Sequence, residues 1–326
     1  MQLGQYPLPR FTVAHLSDVH LLANGVLQYG VVDPEAGLRL ALDRLRRVDP
    51  VPDALVFTGD LTDKGEPAAY RRLRELVEPV AQSMGAELIW VMGNHDERAD
   101  YARELLDSED DGLQDRVYDV RGLRIIALDT SVPGYHHGEL DPEQLEWLRD
   151  VLATPAEHGT LLAMHHPPIP VPMMEASALI ELYDQQALAP VLEGSDVRCI
   201  LGGHFHYSSY STFAGVPVSV ASASCYTADP APLERFVSGV DGHQSFSMAH
   251  LYEDRVVHTV VPLADVTEVT GYPSDVRAQV VALTAEERRE MLSRKDSEFN
   301  AAGEDHARLG PAEISRPSAG AREHEQ

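Results

Sequence analysis

ELIWVMGNHD, residues 87–96, begins as a buried strand and ends in ligating chemistry. Residues 88–92 are continuously apolar, and Gly93, Asn94, His95 and Asp96 follow at once. An unbroken apolar run, without alternation, points to a strand covered on both faces. Polar heads just beyond its carboxyl end sit where open α/β sheets bind their ligands. The same pattern recurs in FTVAHLSDVH (11–20), ALVFTGD (54–60), TLLAMHH (160–166) and VRCILGGHFH (197–206). Each is an apolar run closed by Asp or His.

Helical patterns separate these runs. Residues 33–48 open with Asp33 as a cap and Pro34 at the first helical position, and Leu38, Leu42 and Leu45 then share a face. Residues 66–84 start beside a proline, and residues 141–152 repeat the Asp-Pro start. Turns at Arg121-Gly122, near Gly215 and near Asp254 mark hairpins. Hairpins mixed with β-α-β units predict a layered α/β domain, built on a mixed sheet or on two sheets packed face to face. A short helix is expected at 284–295, followed by a disordered tail.

The 326 residues are 44% hydrophobic, enough for a sizeable core, and carry a formal charge of −26. That field disfavours polymeric nucleic acid and anionic membranes, but a local cluster of metal ions can still attract a small anion. Cys199 and Cys225 make no disulfide framework, and no segment resembles a signal peptide or a membrane span. A cytosolic location is the expectation, with peripheral envelope contact through the tail as an alternative.

Taken singly, the polar elements are ordinary: a capping Asp, a Gly-Asp turn, a His-His-Pro loop. The Gly203-His204-Phe205-His206 segment is more specific, because residues two apart on an extended chain point the same way. Together the elements describe a metal site. Oxygen and imidazole donors without thiolate suit Mn, Fe, Zn or Co. Asp18, His20, Asp60, Asn94, one histidine of the 165–166 pair, His204 and His206 are too many donors for one ion and suit two. Asp60, central in the set, is the expected bridge. Two divalent ions, two carboxylates and a hydroxide leave a charge of about +1, matched to a phosphodiester monoanion.

These elements, in this order, resemble the calcineurin-like metallophosphoesterase superfamily. Segments 56–74, 91–99, 123–134, 165–170 and 217–227 are further similar to actinobacterial class III cyclic-nucleotide phosphodiesterases. The resemblance implies a four-layer α/β/β/α sandwich of two mixed sheets spanning residues 1–265, with a C-terminal extension at 266–326. It implies one ion held by Asp18, His20, Asp60 and His206, and another held by Asp60, Asn94, His165 and His204. Fe paired with Mn or Zn is the implied cofactor, and a homodimer the implied assembly. The substrate phosphate would meet His20, Asp60, Asn94, His95 and His206, with His95 protonating the leaving oxygen and Asp96 orienting His95. His136 or His137 would reach the pocket or remain surface histidines. The implied reaction is hydrolysis of cAMP to AMP. The competing readings are a broader phosphodiesterase, acting on 2′,3′-cyclic nucleotides or glycerophosphodiesters, and a weakly active regulatory or envelope-associated binding protein.

Overall fold

The computed structural model describes residues 4–300 apart from Leu233, Asp265, Val266, Glu268, Thr270 and Pro273. The described residues of 9–264 form one compact unit; the described residues before 9 and after 264 fall in a second. The strands are β1 (Phe11–Leu16), β2 (Ala54–Thr58), β3 (Glu87–Val91), β4 (Arg116–Val120), β5 (Leu123–Leu128), β6 (Thr160–Met164), β7 (Val197–Gly202), β8 (Ser209–Phe213), β9 (Val216–Val220), β10 (Thr227–Ala228), β11 (Gly239–Val240), β12 (Ser245–Leu251) and β13 (Val256–Pro262). The helices of this unit are α1 (Pro34–Leu45), α2 (Pro67–Met84), α3 (Arg98–Leu106), α4 (Pro142–Leu152) and α5 (Ala189–Leu192).

One large sheet runs β13-β12-β1-β2-β3 and a second β4-β5-β6-β7-β9-β8, each mixing parallel and antiparallel pairs, while β10 and β11 pair as a separate two-stranded ribbon. Three apolar clusters separate the layers. Phe11, Val13, Val56, Ile89 and Val91 pack against Ile125, Leu161 and Leu201 between the sheets. Leu16, Leu55, Phe57 and Trp90 on the other face of the first sheet meet Leu38, Leu73 and Val77 from α1 and α2. Ile126, Leu162 and Ile200 meet Leu148 of α4 and Val191 of α5 on the outside of the second sheet. The result is the expected α/β/β/α sandwich. Strands buried on both faces explain why the sequence runs were apolar rather than alternating.

The Asp33 and Asp141 caps are made, accepting from Ala36 N and Gln144 N, with proline at the first helical turn. The three hairpins turn where expected, at β4–β5, β8–β9 and β12–β13. In the second unit, the helix expected at 284–295 is α7 (Ala285–Arg288), capped by Thr284, and it continues as one π turn over Arg289–Ser293. It is preceded by α6 (Ser274–Ala282), which the sequence reading did not mark. The tail expected beyond it lies outside the described residues. Among the described residues, no helix is long and apolar enough to cross a membrane.

Candidate metal centre

Strands β1, β2 and β3 are parallel, as are β5, β6 and β7. Their carboxyl ends therefore discharge Asp18 and His20, Asp60, Asn94 and His95, His165, and His204 and His206. Of these, Asp18, His20, Asp60, His165, His204 and His206 are buried, and Asn94 and His95 are half-buried. Asp18, His20, Asp60 and His206 each offer a ligand atom within 4.8 Å of the others. His20 Nε2 stands 3.1 Å from His206 Nε2 and 3.3 Å from Asp60 Oδ2, and His206 Nε2 is 3.3 Å from Asp18 Oδ1. On the other side of Asp60, its Oδ2 is 3.4 Å from His165 Nε2, which is 3.1 Å from Asn94 Oδ1. The His204 ring lies 5.1 Å from that of His165.

These donors fit metal ions. Each imidazole has one nitrogen committed to an oxygen: His20 Nδ1 to Asp63 at 3.0 Å, His165 Nδ1 to the Thr58 carbonyl at 2.7 Å, His206 Nδ1 to the Tyr226 carbonyl at 2.9 Å, and His204 Nε2 to the Ile180 carbonyl at 2.9 Å. A neutral imidazole has one N–H, so the other nitrogen presents a lone pair. Lone pairs and carboxylates crowded this closely repel one another; a cation among them turns repulsion into coordination. The charge balance asks for the same. Burial disfavours a charged His165, yet Asp60 and Asp18 outweigh it and push its pKa up to about 9. His20 rises well above its ordinary value against the same burial; Cys225, Asp60 and Asp63 act on it, and the Cys225 thiol, pushed up to about 12 by burial, is uncharged, so the two carboxylates decide. His204, by contrast, is held down to about 3 by burial and by His165, and stays neutral.

The backbone pays for this convergence. Asp18, His20, Asp60, His204 and His206 take φ of 51°, 48°, 48°, 71° and 58°. Left-handed conformations in residues with a Cβ cost on the order of 1 kcal/mol each and gather at functional sites. Glycine is required where backbones close in. A Cβ on Gly93 would collide with Asp60 N and Oδ1, and one on Gly203 would collide with Ser17 Oγ and come 2.8 Å from the Thr58 carbonyl.

Both His166 nitrogens have partners, Nδ1 2.8 Å from Thr130 Oγ1 and Nε2 3.1 Å from the His136 carbonyl, and His166 also clusters with His165 and His204 as a candidate ligand. Residues alone left the 165–166 pair open; in the structure it is His165 Nε2 that lies 3.4 Å from Asp60 Oδ2. Asp96 is corrected as the orienting group for His95. Its buried carboxylate instead ties loops together, accepting from Gly93 N (3.0 Å), Leu61 N (3.1 Å) and Tyr70 OH (2.9 Å). Burial and the charge of Asp60 push it up to about 6. His95 Nδ1 donates to the Asp63 carbonyl at 2.9 Å. Asp63 therefore serves both His20 and His95, a role the sequence reading missed, although its place three residues beyond Asp60 was a signal. His136 reaches the site, with Nδ1 accepting from Asn94 Nδ2 at 2.9 Å and its ring 5.1 Å from His95. His137 turns to Glu139 at 2.9 Å.

The model of the calcineurin-like phosphoesterase family matches residues 11–208, the span that supplies every one of these donors. The chain belongs to that family. The phosphoesterase is 51% identical over 280 residues to a cAMP/cGMP dual specificity phosphodiesterase of Mycobacterium tuberculosis, covering 86% of this chain and 88% of that one. It is 52% identical over 275 residues to a probable cyclic nucleotide phosphodiesterase of Rhodococcus erythropolis, covering 83% and 90%. Its fold matches a dimetal phosphatase from Danio rerio with a TM-score of 0.57 at 19% identity, covering 78% of this chain and 97% of that one.

Proposed function

We propose that the phosphoesterase hydrolyses 3′,5′-cyclic nucleotides, cAMP to AMP, at a two-ion centre. The observation that carries the reading is Asp60 Oδ2 lying 3.3 Å from His20 Nε2 and 3.4 Å from His165 Nε2, a single carboxylate shared by two donor sets. The choice of a cyclic nucleotide draws support from the two actinobacterial relatives, about half identical across most of both chains.

Asp18, His20, Asp60 and His206 would hold one ion; Asp60, Asn94, His165 and His204 the other. Such ions supply Lewis acidity to the phosphate and a water nucleophilic near pH 7. Nitrogen and oxygen donors without thiolate fit Fe with Mn or Zn. His95, its Nδ1–H held by the Asp63 carbonyl, would present Nε2 to the phosphate and, as the doubly protonated imidazolium, give the Nε2 proton to the departing O3′, leaving the neutral ring. Asn94, held by His136, and the ring of His20 shape the phosphate seat with Asp60 and His206. Asp96 fixes the Gly93 turn from which Asn94 and His95 project. A homodimer in the cytosol completes the reading; the dimer is checked by sedimentation equilibrium.

The test is Mn-supplemented hydrolysis of cAMP, 2′,3′-cAMP, bis(p-nitrophenyl) phosphate and p-nitrophenyl phosphate, run on protein of measured metal content. The diesters, cAMP among them, should exceed the monoester. A preference for 2′,3′-cAMP with cAMP untouched would replace this reading with the broader phosphodiesterase. Inactivity toward all four would leave the binding protein.

A further inference from the structure

The rim of the metal centre carries an apolar lip that the chemistry above does not use. Val26, Leu27, Tyr29 and Val31 are all exposed on one loop. Its tip is a tight turn: Val31 N donates to the Gln28 carbonyl at 3.1 Å, and Tyr29 and Gly30 take φ of 51° and 75°. Two successive left-handed residues make a type I′ turn, whose first position favours Asn, Asp or Gly. Tyrosine is strained there, and with the residue 74% exposed burial does not offset the strain. The ring is nevertheless held in place. Tyr29 OH is 3.3 Å from Tyr226 OH, and the rings meet edge to face at 5.4 Å and 78°. Tyr226 in turn lies 4.5 Å from the His206 ring and 6.1 Å from that of His20. The turn is also pinned to the centre, because Gln28 Nε2 donates to Asp63 Oδ1 at 2.8 Å.

We propose that Tyr29, braced by Tyr226, is the stacking platform for the substrate's nucleobase. The proposal rests on the cyclic-nucleotide reading and names the residues that would recognise the base. A phosphate seated on ions held by Asp60 would leave the base one ribose away, at the rim. There Tyr29 offers a flat aromatic face, fixed before substrate arrives. Stacking reads the π-face of a base rather than its hydrogen-bonding edge, so adenine and guanine should be accepted alike.

The test uses the full Mn-loaded chain and follows inhibition of bis(p-nitrophenyl) phosphate hydrolysis by 5′-AMP and by ribose 5-phosphate, which has the same sugar and phosphate but no base. The wild type should bind AMP more tightly. Tyr29→Ala should raise the AMP inhibition constant about tenfold and move that for ribose 5-phosphate by less than twofold, while Tyr29→Phe should keep most of the AMP preference. An AMP-to-ribose-phosphate ratio unchanged in Tyr29→Ala overturns the proposal, as does a wild type without AMP preference. An equal rise in both constants also overturns it, since that marks a distorted metal centre. cAMP turnover by the wild type, measured separately, tests the substrate reading, and its failure would be distinguishable from a failure of Tyr29.

Discussion

The backbone carbonyl of Asp63 lies 2.9 Å from His95 Nδ1, which leaves Nε2 as the nitrogen of the GNHD imidazole proposed to meet the substrate. The carboxylate of the same residue takes His20 Nδ1 at 3.0 Å and Gln28 Nε2 at 2.8 Å. One short turn after β2 thus holds two imidazoles, the proposed metal ligand His20 and the proposed proton donor His95, through two different groups.

His95→Ala should therefore separate chemistry from metal binding. Turnover of cAMP is expected to fall about a hundredfold or more. Metal content, measured by plasma mass spectrometry, should stay at the wild-type value. Wild-type turnover in this variant would remove His95 from the mechanism.

Asp63→Ala should do the reverse. The carbonyl that orients His95 survives, but His20 loses the acceptor that fixes its tautomer. Metal affinity is expected to drop about 10- to 100-fold, with turnover recovering in excess Mn. Titration of the metal-stripped protein by calorimetry reads the affinity directly; an unchanged constant would contradict the role.

Gly93→Ala probes the closest backbone approach in the centre. The new Cβ has no room beside Asp60 N and Oδ1, so Asp60 must move. Loss of both ions and destabilisation of about 1–3 kcal/mol are expected, read by metal analysis and urea unfolding. Retention of both ions would mean that Asp60 does not join the two donor sets.

His15, which is not among the proposed metal ligands, provides a pH dependence; its Nε2 lies 2.9 Å from Thr58 Oγ1. It is fully buried, and burial together with His258 holds it down to about 3. The folded state binds this proton less readily than the unfolded chain, whose histidine titrates near 6.5. The neutral ring therefore costs nothing above that pH, and stability falls as pH drops from there toward 3. Between pH 7.5 and 5 the loss from this residue is about 2 kcal/mol. Urea unfolding of wild type and His15→Asn at both pH values should show the wild type losing more by that amount. Parallel losses would assign the pH dependence to other groups.

Much of this molecule could be read from the chain. The apolar runs at 11–16, 54–58 and 88–92 announced strands covered on both sides, because both faces meet an apolar layer. Asp33-Pro34 and Asp141-Pro142 announced helix starts, because capping is a local hydrogen bond. The orienting groups of the site were hidden for the opposite reason. The acceptors from Thr58, Ile180 and Tyr226 are main-chain carbonyls, identical in every residue and thus silent in sequence. The misplaced role of Asp96 has a similar origin: adjacency to His95 in sequence stood in for contact, while its carboxylate folds back to Gly93, Leu61 and Tyr70.

The sequence by itself determined the strand–helix rhythm, the donor types and their position just past the strand ends, all of which follow from local periodicity and side-chain chemistry. Only the tertiary structure decided that His165 rather than His166 faces Asp60, that Asp63 orients two rings, and that Tyr29 meets Tyr226. Such choices depend on strand order and on how two sheets are packed. They bring His20 and His206, 186 positions apart, to 3.1 Å, a separation that no local rule encodes.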